Sequence, residues 1–185
     1  MINFITNIDQ TIVKFMSTDF RNGFFDFIMP YITLIAEYGI GCILACLILI
    51  FVKNTRKAGI NCAISILFNF IICNGIIKHL VMRPRPLEIF WNPNLIIAVT
   101  DTSFPSGHAA VCFAFSVVLI FYCKKLGLLS LILSVLVAFS RVYLCVHWTS
   151  DVVGGALLGT ICAFITYFAM KCIYHRIDLK KGLKQ

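Results

Sequence analysis

The chain has 185 residues, of which 60% are hydrophobic and 13% charged, with a mean hydropathy of +0.93. The charged share is about half the roughly 25% of an ordinary soluble domain, so a soluble fold of this size could not bury its apolar surface, and a disordered chain would carry more charge. Nine cysteines are too sparse for a disulfide-stapled secreted miniprotein, and the net charge of +8 must be read from its distribution before nucleic acid is considered.

The first 30 residues place Phe4, Ile5, Ile8, Ile12, Phe15 and Met16 at helical spacing, interleaved with Asn7, Asp9, Gln10 and Lys14. This predicts an amphipathic helix, lying on the membrane surface or packed on a bundle; the spacing does not choose. A signal peptide is not expected, because there is no basic start followed by an apolar run. Five windows then reach the roughly 20 residues a spanning helix needs. They run from Thr33 to Val52, interrupted at Glu37, from Ala58 to Ile77, from Phe104 to Cys123, from Leu126 to Val146, and from Val152 to Met170. A sixth, short span over Phe24 to Ile35 stays open. No stretch alternates as a barrel strand would. The expected fold is an all-α polytopic membrane helix bundle of five or six spans, preceded by the amphipathic helix. The corresponding units are residues 1–30, a transmembrane domain over 31–172, and a basic cytoplasmic tail over 173–185. Gly154, Gly155 and Gly159 in the last window suggest close helix packing.

The loops set the orientation. Lys53, Arg56, Lys57, Lys124, Lys125, Lys171, Arg176, Lys180, Lys181 and Lys184 fall on one side with Asp178 as the sole acid, a net +9. The other side nets −1. The positive-inside rule puts the +9 face in the cytoplasm and, for five spans, the N-terminus outside. Most of the excess charge is therefore orientation signal, and a nucleic-acid partner is excluded. Cys42, Cys46, Cys62, Cys73, Cys112, Cys123, Cys145, Cys162 and Cys172 lie almost entirely in apolar runs without a Cys-x-x-Cys pair, and read as small packing residues.

Three clusters on the −1 side carry chemistry. In Lys78-His79-Leu80-Val81-Met82-Arg83-Pro84-Arg85-Pro86, the prolines force extended backbone and end the second span. Such cations also suit simple headgroup binding, but they lie on the side that otherwise avoids positive charge, and phosphate recognition is the simplest reason. In Phe104-Pro105-Ser106-Gly107-His108, Ser103 or Ser106 can cap the third span, and Gly107 lets an anion approach free N–H groups. An ordinary helix cap would read the same way. The third cluster runs from Ser140 to Asp151. Arg141 lies inside an apolar span, which is costly and marks a functional candidate. His147 and Asp151 share a face if the segment is helical, so the carboxylate could fix the imidazole tautomer and leave the other nitrogen nucleophilic. Trp148 also suits an interfacial anchor.

Taken in order, Lys78…Arg85-Pro86, Pro105-Ser106-Gly107-His108 and Ser140-Arg141…His147…Asp151 resemble the three signature motifs of the type 2 phosphatidic acid phosphatase family, which includes vanadium haloperoxidases. The resemblance covers roughly residues 60–170. Arg83-Pro84 forms a second Arg-Pro pair, but Arg85 has the family spacing from Lys78. The resemblance implies a membrane lipid phosphatase in which His147 attacks phosphorus, Asp151 orients it and His108 protonates the leaving oxygen. Lys78, Arg85, Ser106, Gly107 and Arg141 would hold the phosphate oxygens. Three fixed cations can do the work of a metal, so neither metal nor cofactor is expected. The chain is similar to the short bacterial members that act on undecaprenyl diphosphate, which makes that lipid the first substrate choice and the outer face of the plasma membrane the expected site. Phosphatidic acid, phosphatidylglycerol phosphate and diacylglycerol pyrophosphate are rivals. A noncatalytic lipid-binding or transport protein is the alternative of a different class, and would be expected to lose His147, His108 or Asp151. Phe90, Trp91 and Trp148 could position a lipid tail or serve as plain interfacial aromatics. His79 and His175 read as structural or interfacial, Glu37 receives no role, and the oligomeric state is left open.

Overall fold

The computed structural model describes residues 2–88 and 101–182. Phe90, Trp91 and Lys184 lie outside the described residues. The amphipathic segment forms α1 (Ile2–Ser17). Its inner face carries Asp9 and Val13, both fully buried, with Val13 packed among Ala109, Ala138, Val142, Cys145, Trp148 and Val152. Its outer face exposes Phe4, Ile5, Ile8 and Phe15. The helix is thus docked on the bundle, and its exposed residues give it an apolar side as well.

The window from Thr33 to Val52 is not one straight helix. It is broken into the end of α2 (Gly23–Ile35), a 3₁₀ turn at Glu37–Gly39, and α3 (Ile40–Phe51), with a 47° bend between the two helices. Gly39 takes φ +71° at the break, a conformation that costs glycine no Cβ clash. Hydropathy saw through this break because one acid barely lowers a window average. The break turns Glu37 toward His108. On the other side of α2, Asn22 caps the helix by accepting from the Phe25 N–H at 3.1 Å.

The second window is longer than the hydropathy run. α4 (Arg56–Phe70) passes through a π-type stretch, Ile71–Ile77, into α5 (Lys78–Val81). Such wider turns recur at functional sites, and this one ends at Lys78. Met82, at φ +43°, and the prolines that follow stop the helix as expected. The remaining elements are α6 (Gly107–Tyr122), α7 (Lys124–Tyr143) and α8 (Thr149–Gly182). The fourth window therefore ends at Tyr143 rather than Val146, and α8 continues unbroken past Cys172. Among the described residues, three helices, Arg56–Val81, Lys124–Tyr143 and Thr149–Lys180, are long and apolar enough to cross a membrane; the bent pair α2 and α3 passes together as a fourth, and α6 is a shorter apolar helix. The regular structure of the described residues is entirely helical, and the chain is a multi-pass membrane protein.

The shaft is held by close approach. A Cβ on Gly159 would lie 2.1 Å from the Ala110 carbonyl oxygen, and one on Gly155 would lie 2.4 Å from that of Ser106. In a bilayer, where burying apolar surface gains little, such contact drives helix association. Polar pairs add to it: Ser116 bonds Ser134 at 2.7 Å and Ser130 at 2.6 Å between α6 and α7. The basic end of the bundle is closed by Asn61 donating to the Tyr122 hydroxyl at 3.1 Å and by Lys57 over the Tyr174 ring. The described cysteines are all free.

Candidate active site

The three clusters meet at the opposite end, where α5 stops, α6 and α8 begin, and α7 ends. After Tyr143 the chain leaves helical geometry: Cys145 takes φ +57°, and the His147 N–H donates to the Arg141 carbonyl at 3.2 Å. His147 therefore sits in the α7–α8 connection, not on a helical face. Asp151 lies in the first turn of α8. The pair still meets, with His147 Nδ1 3.7 Å from Asp151 Oδ2. That is an ion-pair distance, longer than a hydrogen bond, and apo geometry at catalytic pairs is often loose.

The other imidazole nitrogen fixes the tautomer. Arg85 Nη1 lies 3.2 Å from His147 Nε2. A guanidinium has only donors, so Nε2 is the acceptor and the ring proton belongs on Nδ1, facing Asp151. Burial, and then the charges of Arg85 and Arg141, hold the imidazole well below the ordinary histidine pKa. His147 is a neutral ring whose Nε2 lone pair points toward Arg85.

Lys78 and Arg85 converge on one carboxylate that sequence reasoning passed over. Asp101 accepts from Lys78 Nζ through Oδ2 and from Arg85 Nη2 at 2.5 Å through Oδ1. Its partial burial pushes its pKa up, but the Lys78 hydrogen bond and the Arg85 charge outweigh this and hold it at about 2. The Asp101 side chain is 51% exposed, whereas Arg85 is buried. Arg85 also donates through Nε to the Asp101 carbonyl at 2.7 Å and through Nη1 to the Val146 carbonyl at 2.5 Å. Arg141 is buried, and its Nη1 donates to Thr33 of α2 at 2.5 Å. Arg141 Nε and Ser106 Oγ are buried without a hydrogen-bond partner among the described residues. Neither Ser103 nor Ser106 caps α6 by its side chain. The Ser103 hydroxyl instead donates to Asp151 Oδ2, and the Ser106 N–H donates to the Asp151 carbonyl at 3.0 Å. Gly107 opens α6 as expected; a Cβ there would lie 3.8 Å from Asn74 Oδ1.

His108 gains the partner that gives Glu37 a place: His108 Nε2 and Glu37 Oε2 are 3.1 Å apart. Trp148 is not an interfacial anchor or a tail contact. It is buried, with Nε1 donating to the Pro84 carbonyl at 2.9 Å. Its ring lies under Arg83, whose guanidinium reaches Asp9, Ser150 and Asp151. The partners Asp9, Glu37, Arg83 and Asp101 were outside the expected site. Arg83-Pro84 is a second Arg-Pro pair without the motif spacing, Asp9 and Asp101 carry no local signal, and Glu37 has one only in being an acid inside an apolar run.

The fold and site define a membrane-embedded helix bundle in which Lys78, Arg85 and Arg141 lie at the same end as a buried histidine–aspartate pair. Residues 58–173 match the PAP2 superfamily, and the chain belongs to that superfamily. It is similar to an undecaprenyl-diphosphatase of Sulfolobus acidocaldarius, 40% identical over 65% of this chain and 58% of that protein. It is also similar to the undecaprenyl-diphosphatase BcrC of Bacillus subtilis, 30% identical over 86% of this chain and 82% of that one. The chain thus spans little more than half of the Sulfolobus relative's length. Among solved structures, a transmembrane PAP2-type phosphatidylglycerolphosphate phosphatase of Bacillus subtilis shares the fold, with a TM-score of 0.74 at 24% identity over 92% of this chain and 88% of that one.

Proposed function

We propose that this chain is a lipid phosphatase that hydrolyses undecaprenyl diphosphate to undecaprenyl phosphate and inorganic phosphate through a phosphohistidine at His147. The observation that carries the reading is the placement of His147 between Asp151 on Nδ1 and Arg85 on Nε2. His147 Nε2 forms the P–N bond as the bond from phosphorus to the bridging oxygen breaks. His108, held by Glu37, supplies a proton to the leaving oxygen. Water then attacks the phosphohistidine, giving up a proton to His108, and the P–N electron pair returns to His147.

Lys78, Arg85, Arg141, Ser106 and the Gly107 N–H hold the nonbridging oxygens. The phosphate takes over the two cations that Asp101 now shares, and its oxygens satisfy Ser106 Oγ and Arg141 Nε. Donors fixed in place act most strongly where charge builds in the transition state. Three fixed cations supply the charge that a metal ion would otherwise bring.

The activity for which the Sulfolobus and Bacillus relatives are named favours the polyprenyl diphosphate; the solved phosphatidylglycerolphosphate phosphatase makes that lipid the rival. The charge distribution supports five crossings. It also supports the site on the outer face of the plasma membrane and the basic end in the cytoplasm. The test is phosphate release in EDTA from undecaprenyl diphosphate, phosphatidylglycerol phosphate and phosphatidic acid. Undecaprenyl diphosphate is expected to give the highest kcat/KM, with vanadate inhibiting. Complete dependence on added Mg²⁺ would overturn the metal-free reading, and preference for another lipid would overturn the substrate.

A further inference from the structure

The Asp9 carboxylate sits in the N-terminal helix, 2% exposed and far in sequence from every motif. A buried carboxylate is costly unless its oxygens are satisfied. Those of Asp9 are satisfied entirely by the catalytic end of the molecule. Oδ1 accepts from the Ser150 N–H at 2.9 Å, and Oδ2 accepts from the Ser150 hydroxyl at 2.5 Å and from Arg83 Nη2 at 2.8 Å. Ser150 lies in the first turn of α8, where backbone N–H groups have no helical acceptor, so Asp9 caps α8 from another helix. Arg83 continues the chain of contacts. Its Nη1 donates to Asp151 Oδ1 at 2.6 Å and to the Ser150 hydroxyl at 2.7 Å. One guanidinium therefore bridges two carboxylates, only one of which touches the histidine. Arg83 acts by a second route as well. Its carbonyl accepts the Ser103 N–H at 2.8 Å, and the Ser103 hydroxyl bonds Asp151 Oδ2, the oxygen nearest His147.

We propose that Asp9 and Arg83 form a positioning clamp that holds Asp151 in register with His147, so that docking of α1 is part of the catalytic apparatus. The inference rests on the reading of His147 as nucleophile. Asp9 and Arg83 touch neither substrate nor the reacting nitrogen; they are positioning residues. The clamp needs a charge at Asp9 and a planar donor fork at Arg83, since a lysine presents a point charge and cannot span both carboxylates in fixed geometry.

The experiment compares Asp9→Asn, Asp9→Glu and Arg83→Lys with wild type, in purified protein of measured thermal midpoint. Two readouts are taken: the kcat and KM for phosphate release from undecaprenyl diphosphate, and the Nδ1 resonance of His147 in histidine-labelled protein. Asp9→Asn and Arg83→Lys are expected to lower kcat by about tenfold or more, the scale of losing an outer partner of a functional histidine. KM should change by less than about twofold, because the phosphate cradle is untouched, and the His147 Nδ1 resonance should move. Asp9→Glu should recover most of the lost kcat. Wild-type kcat and an unmoved resonance in both Asp9→Asn and Arg83→Lys would overturn the clamp and leave α1 a packing helix, whatever happened to the thermal midpoint. If wild type released no phosphate from any lipid tested, the proposed reaction would fail, while the His147 resonance would still decide the clamp.

Discussion

The shaft of the bundle and its catalytic end are built on opposite rules. In the shaft, helices approach over glycines, alanines and serines, and the Ser116, Ser130 and Ser134 hydroxyls bond one another across one helix pair. At the other end charged side chains make the contacts across elements distant in sequence: Arg83 pairs with Asp9 and Asp151, Lys78 and Arg85 pair with Asp101, and Arg85 and Arg141 also donate to the Val146 carbonyl and the Thr33 hydroxyl. Even two arginines separated by one proline differ. Arg83 is locked between two buried carboxylates, whereas Arg85 meets the half-exposed Asp101 and the imidazole of His147. The difference teaches which charges organise the site and which can be shared with a substrate. Arg83 holds a structure together, and on the proposed reading Arg85 with Lys78 holds in Asp101 an anion that the phosphate replaces.

Substitutions at the two ends should therefore separate activity from stability. His147→Ala should have the largest effect, lowering phosphate release by more than about a thousandfold, as removing a nucleophile does, while the thermal midpoint stays near wild type. Arg85→Met should follow, with a loss of about a hundred- to a thousandfold in kcat, the cost of one donor to a developing oxyanion. Gly159→Ala should do the reverse. Its Cβ has no room against the Ala110 carbonyl, and overpacking of this kind costs about 1–3 kcal/mol, read as a lower thermal midpoint in detergent. Asp101→Asn should tighten vanadate inhibition only by about two- to fivefold, the scale of a partly exposed ion pair, because the carboxylate competes for Lys78 and Arg85. A weaker vanadate effect in that variant would make Asp101 part of the cradle rather than its stand-in.

The pH dependence sharpens the same contrast. The folded pKa of His147 lies below its ordinary value of 6.5. As pH falls, the unfolded chain takes up this proton first, so the group's contribution to stability is complete above about 6.5 and is lost progressively below it. The imidazole in the free enzyme stays neutral meanwhile. A profile of kcat/KM, which reports free-enzyme groups, should show no loss from His147 protonation until well below pH 6.5. A loss centred at or above 6.5 and removed by no substitution other than at His147 would contradict the neutral, buried nucleophile.

What the sequence made legible follows the same division. The apolar windows, the proline stop after Val81 and the close approach at Gly155 and Gly159 are local properties, and local patterns carry them. The motif residues were legible too, because each cluster is contiguous. Their partners were not. Asp9 lies 141 residues from Ser150 and Glu37 lies 71 from His108, and nothing at either position signals the contact. The break at Glu37 was hidden by window averaging. Trp148 resembled an interfacial anchor until the fold placed Arg83 and Pro84 against it. The spacing of His147 and Asp151 suggested a pair for a helical reason, but the contact is made by a left-handed residue, Cys145, that turns the chain before α8 begins.

The central claim is that His147 becomes phosphorylated, and trapping the intermediate tests it most directly. Turnover of undecaprenyl diphosphate carrying a radiolabelled terminal phosphate is quenched in alkali, where a phosphohistidine survives, and the labelled peptide is mapped. The account predicts acid-labile label on the peptide containing His147, absent from the His147→Ala protein. Label on another residue, or turnover at the wild-type rate in His147→Ala, would contradict it.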